Sequence, residues 1–178
     1  MKFFFSAAML SAACLLGSPA SAQSWNTTSH ILALALPSLA GAMAYQQQDR
    51  DGASQLVWTL GGTLASTLIL KSQLHQLRPD GSDNDSFPSG HTAVAFASAR
   101  FIHKRYGNQI NPYLLYGAAS LTALARVQAN QHHWRDTVGG AALGYAMAEF
   151  LTEGREGRGL SLLPSPAGGV SLTWAQSW

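Results

Sequence analysis

Residues 91–128 read HTAVAFASARFIHKRYGNQINPYLLYGAASLTALARVQ. Two helix-length apolar blocks stand in this stretch, His91 to Tyr106 and Tyr113 to about Gln128. Helix punctuation separates them. Gly107-Asn108 stops the first block, and Asn111-Pro112 supplies a cap followed by proline at the first helical position of the second. The same punctuation cuts the rest of the chain, with no fixed repeat, into blocks of similar size. Ile31 to Gln47 is closed by the polar run 46–52, and Ser54 caps a long block running to Leu77, which Pro79 ends. Asp136 opens a last block, Thr137 to Thr152, which ends at Gly154. The pattern predicts an all-α bundle of about five to six helices.

The tail differs in kind. After the Gly/Arg/Glu linker 153–159, Leu160-Ser161-Leu162-Leu163, a Pro/Gly turn and Val170-Ser171-Leu172-Thr173-Trp174 read as a short C-terminal β-hairpin. A lone hairpin is marginal in water, so it has to lie on the helical body or on a partner, and one hairpin cannot form an outer-membrane barrel.

Lys2, an apolar run from Phe3 to Leu16, and Ser18-Pro19 before Ala20-Ser21-Ala22 have the layout of a cleavable secretory signal. Cleavage is expected after Ala22, which an intact-mass measurement reads; a mass retaining 1–22 would make the segment a membrane anchor. Cys14, the single cysteine, falls inside it without the Leu that a lipoprotein signal places three residues earlier. The expected organisation is a leader at 1–22, a helical domain at 23–155 and a hairpin tail at 156–178. The exported chain then carries no disulfide or thiolate chemistry into the periplasm.

The 178 residues are 47% hydrophobic and only 11% charged, with 11 Lys+Arg against 9 Asp+Glu. That composition excludes a solvated charged tail and extended disorder, and the balance of +2 excludes a nucleic-acid binder that neutralises many phosphates. The blocks are mostly shorter than the ~20 apolar residues of a membrane span. Arg100 and Glu149 also fall inside two of them, which favours a soluble bundle. Residues 52–70 and 106–125 are nevertheless long enough and uncharged, so an integral-membrane form with a retained N-terminal helix is the alternative.

Three spaced motifs carry the chemistry. Lys71 and Arg78 are seven residues apart, which on one helix puts both cations on a face, about 10 Å apart along the axis; a solvated basic face gives the same pattern. Phe87-Pro88-Ser89-Gly90-His91-Thr92 leads into an apolar helix, where backbone N–H groups and the Ser89 hydroxyl can meet an anion, or where Ser86 or Ser89 simply caps. Arg126 is followed by His132 and, four residues on, Asp136. That carboxylate can accept from one imidazole nitrogen and leave the other nucleophilic, or it can serve only as a helix cap. A metal site of His91, His132, His133 and Asp136 is a further reading of the same residues.

Taken together, Lys71-x6-Arg78-Pro79, Pro88-Ser89-Gly90-His91 and Arg126-x5-His132-x3-Asp136 resemble the signature of the type 2 phosphatidic acid phosphatase superfamily, which includes bacterial class A acid phosphatases and vanadium haloperoxidases. The motifs span 71–136, and the surrounding helices extend the likeness to roughly 54–152. One departure is Ala125, where the family usually has Ser before the arginine.

The resemblance implies a bundle with its site at helix ends and a metal-independent phosphatase with no cofactor. Lys71, Arg78 and Arg126 would hold the phosphate with Ser89 and the Gly90 N–H, and His132 would attack phosphorus. Asp136 would orient His132, while His91 protonates the leaving oxygen and then activates water. The implied partner is a phosphorylated small molecule or a lipid head group, with peripheral membrane contact. A vanadate-dependent haloperoxidase would use nearly the same residues, but only eight residues separate Pro79 from Pro88. A non-catalytic anion binder would lack one of His91, His132 and Asp136.

Overall fold

The computed structural model describes residues 22–155, 159–165 and 168–175; residues 1–21 of the expected leader, Cys14 among them, lie outside the described residues. Five α-helices follow in order, α1 Ala22–Gln46, α2 Arg50–Leu74, α3 Gly90–Tyr106, α4 Pro112–Gln128 and α5 Trp134–Leu151. A 3-10 turn at Gly107–Gln109 links α3 to α4, and strands β1 Gly159–Pro164 and β2 Val170–Ala175 close the chain. The strands pair antiparallel with Leu162 opposite Leu172, the hairpin expected from the tail.

Where punctuation is local, the boundaries fall as read. Asn111 Oδ1 accepts from the Tyr113 N–H at 2.9 Å, satisfying one of the orphan donors at the start of α4, with Pro112 in the first turn. Four boundaries differ. Asp49, not Ser54, caps α2: its carboxylate accepts from the Gly52 N–H at 2.9 Å, while the Ser54 hydroxyl donates to the Asp51 carbonyl. α2 ends at Leu74 rather than Leu77, with His75 in the left-handed conformation. The following backbone is claimed by a loop instead, since Arg78 N–H donates to the Asp83 carbonyl at 3.0 Å and Ser86 N–H to that of Gln76 at 2.8 Å. Arg78 is therefore not on the helix with Lys71. α1 is already helical at Ala22, the first described residue and nine before Ile31, and its polar turn around Asn26 and Ser29 is held by contacts described below. α5 likewise starts at Trp134, one turn's edge earlier than Thr137, with His133 as its cap.

α3 is the central helix and packs on the other four. Ala95, Ala99, Phe101, Ile102 and Tyr106 meet Leu36, Ala40 and Met43 of α1, Leu56 of α2, and Leu115 and Ala119 of α4 in one core. Its alanines let neighbouring backbones approach closely, and glycines on α5 go further. A Cβ at Gly144 would stand 1.9 Å from the Ala93 carbonyl oxygen, and one at Gly140 2.4 Å from that of Ser89. Gly144→Ala is expected to destabilise the fold by about 1–3 kcal/mol through overpacking against rigid backbone. Gly117→Ala, where nothing lies within 4 Å, should be neutral or slightly stabilising. Equal melting temperatures for the two variants would contradict this packing.

Helices alternate in direction, so the α2–α3 and α4–α5 connections and the start of α1 lie at one end. At the other end Arg105 grips Asp49 with two hydrogen bonds of 2.7 and 2.8 Å and donates to the Glu153 carbonyl. That guanidinium holds the Asp49 carboxyl down at about 2 against the opposing effect of burial. α1 and α2 are each 25 residues, long and apolar enough to cross a membrane, and only about a third of either apolar window is buried within the fold. This weighs against a soluble bundle.

Candidate active site

The first end of the bundle gathers the residues singled out in the sequence. His132, between α4 and α5, is 2% exposed, Arg126 at the end of α4 is 3% exposed, and Ser86, Ser89 and Asp136 are fully buried. Burial, followed by the positive charges of Arg126, Arg78 and Lys71, pushes the His132 imidazole down to about 3. Its ring is therefore neutral at ordinary pH, in the field of three cations. A backbone hydrogen bond with Ser86 acts the other way, more weakly.

Asp136 does more than its expected role and less of it directly. As the third residue of α5 it completes a capping box with His133, its Oδ2 accepting from the His133 N–H at 2.8 Å. The same oxygen accepts from the Ser86 hydroxyl at 2.5 Å. His132 Nδ1 lies 3.9 Å from it, beyond hydrogen-bond length, and both that nitrogen and Asp136 Oδ1 are buried without a partner. The expected His132–Asp136 hydrogen bond is thus not formed, because capping and Ser86 hold the carboxylate. Ser86 was legible in the sequence only as a helix cap, and its bond to Asp136 crosses 50 residues.

The arginines face each other across Gln131. Its Oε1 accepts from Arg78 at 3.1 Å and from Arg126 at 3.4 Å, while its amide donates to Asp80 at 2.7 Å. Arg78 also pairs with Asp83 at 2.6 Å. Besides Gln131, Arg126 donates to Asn26 Oδ1 at 2.8 Å and the Ser29 hydroxyl at 3.2 Å on α1, all neutral partners, and its Nε is buried without a hydrogen-bond partner among the described residues. Among the described residues no carboxylate forms an ion pair with the buried Arg126 guanidinium, and Gln131 Oε1 stands within hydrogen-bond reach of both arginines. Lys71 Nζ donates to the Asp85 carbonyl.

Ser89 and Gly90 open α3 as expected, but the Ser89 hydroxyl is paired with Thr92 Oγ1 at 3.0 Å and caps nothing. The backbone of Ser89 is tied to the Asp136 carbonyl at 2.9 Å, joining the second and third motifs. His91, in the first turn of α3, places Nε2 2.8 Å from His30 Nδ1 on α1. Among the described residues no three His, Cys, Asp or Glu side chains gather as a metal set, so His91, His132, His133 and Asp136 do not form one.

The PAP2 superfamily profile matches residues 52–159. Over 82 residues, 45% of this chain and 18% of the relative, the sequence is 42% identical to lipid A 1-phosphatase of Porphyromonas gingivalis. It is 33% identical over 78 residues to lipid phosphate phosphatase 2 of Arabidopsis thaliana, covering 36% of this chain and 27% of that protein. The chain thus spans about a quarter or less of the length of these curated relatives. The crystal structure of a transmembrane PAP2 type phosphatidylglycerolphosphate phosphatase from Bacillus subtilis superposes with a TM-score of 0.57 at 26% identity, covering 78% of each chain.

Proposed function

The chain belongs to the PAP2 superfamily, and from that premise we propose that it is a phosphatase acting on lipid phosphates or pyrophosphates at a membrane surface. The carrying observation is the buried, neutral His132 in the field of Arg126, Arg78 and Lys71. A phosphate brings the negative charge these cations lack, and as charge redistributes over its oxygens in the transition state they supply fixed electrostatic stabilisation. Ser89 and the Gly90 N–H, at the start of α3, complete the phosphate cradle. His132 attacks phosphorus in line and forms a phosphohistidine as the P–O bond to the leaving group breaks. Asp136 steadies the ring, His91 gives the leaving oxygen its proton, and water then cleaves the P–N bond, returning a proton to His91.

The surface supports a lipid substrate over a soluble one. Exposed aliphatic side chains line the helices, among them Leu34, Leu64, Leu68, Ile69, Leu121 and Val138. Aromatic rings stand at both ends, Trp134 at the site end and Tyr45 and Tyr113 at the other, as in chains that anchor at both membrane interfaces. In our reading the site lies on the exported, periplasmic face, a location supported by the N-terminal end of α1 lying at the site end, downstream of the signal-like segment.

The test is phosphate release by the detergent-solubilised chain from a lipid phosphate in mixed micelles, with p-nitrophenyl phosphate alongside. Activity is expected to survive EDTA and to be inhibited by vanadate, which takes the trigonal bipyramidal geometry of phosphoryl transfer. Complete loss in EDTA with restoration by Zn²⁺ would replace the three-cation site with a metal centre.

A further inference from the structure

α1 lies entirely outside the matched region, 52–159, yet it reaches the site. Asn26, Ser29 and His30 are three and four positions apart, hence on one helix face. Asn26 and Ser29 hold Arg126. His30 Nδ1 is 2.8 Å from His91 Nε2, and the two rings meet edge to face with centroids 4.6 Å apart.

We propose that His30 is a positioning residue for the proton-transfer steps of His91. The proposal rests on the reading of His91 as the general acid and adds to it a second imidazole that fixes the direction of the first. The hydrogen bond made by one ring nitrogen sets which nitrogen carries the proton and how the ring is turned. His91 is only half buried, at the first turn of its helix, and no other side-chain hydrogen bond to its ring is present among the described residues. His30 supplies that restraint from a different helix, as Asn26 and Ser29 do for Arg126. The proton balance is unchanged: the leaving oxygen takes one proton from the imidazole pair, and the hydrolytic water returns one.

Leaving groups separate positioning from mere stability. An alkyl phosphate, including a lipid phosphate, needs a proton on its leaving oxygen, whereas p-nitrophenolate leaves without one. General acid catalysis contributes roughly 10²–10⁴-fold. His30→Ala in the full chain is therefore expected to lower kcat on the lipid phosphate by about tenfold, a part of that contribution, and on p-nitrophenyl phosphate by less than about twofold. His30→Asn, whose amide can replace Nδ1, should recover most of the loss. Equal losses on both substrates, or no loss on either, would overturn the proposal. His91→Ala run in parallel isolates the premise. If it shows the leaving-group split and His30→Ala does not, only the role of His30 falls; if it shows none, the general-acid reading falls and the proposal with it.

Discussion

His132→Ala is expected to remove turnover on every substrate, by at least about 10³-fold in kcat, because a reaction routed through a covalent intermediate has no path without its nucleophile. His132 is the buried imidazole that Arg126, Arg78 and Lys71 all press upon. The half-exposed His133 is turned toward the Asp136 cap and cannot substitute. Acid quenching during turnover should trap an acid-labile phosphoenzyme in the parent chain and none in the variant. His132→Asn, which keeps a polar group in the buried position, guards against a cavity being mistaken for lost chemistry. Either variant retaining more than about a tenth of the parent rate would remove His132 from the nucleophile's role.

Arg126→Lys is expected to cost about ten- to a hundredfold in kcat/KM. An ammonium keeps the charge but not the planar fork, and a lost hydrogen bond to a charged group is worth roughly 1.5–3 kcal/mol. From the sequence alone, melting temperature should hardly change. The structure alters that part, since the guanidinium also ties α4 to Asn26 and Ser29 of α1. A modest fall in stability is now expected beside the kinetic loss. Asn26→Ala breaks part of the same tie without touching charge, and it should lower the melting temperature with a much smaller effect on kcat/KM. A lysine variant with parental kcat/KM and a lowered melting temperature would make Arg126 structural and leave the phosphate to Lys71 and Arg78.

Motif spacing named His91, Arg126, His132 and Asp136, and the fold brings them to one end of the bundle as the resemblance implied. It did not reveal how they are held. Helical phase pairs Lys71 with Arg78 only while the helix continues, and it fails once a loop replaces the last helical turn. Ser86 and Gln131 stood inside or beside the motifs, but neither residue type signals a partner 50 or more positions away.

What the sequence determined by itself is what short-range physics decides. Asn111-Pro112 starts α4 and Gly107 ends α3 because capping and backbone freedom act within a few residues. The alternating tail pairs as a hairpin for the same reason. The tertiary structure decided the rest. Polar residues 23–30 carry no helical apolar stripe, and they are helical where Ser29 and Asn26 dock on Arg126 and His30 on His91. The Asp136 carboxylate is shared between a cap and Ser86, leaving His132 Nδ1 unpaired. The exposure of the apolar faces of α1 and α2 likewise follows from which sides the central α3 covers. Each of these depends on atoms far apart in the chain competing for one partner or one surface, and that competition exists only after the helices have packed.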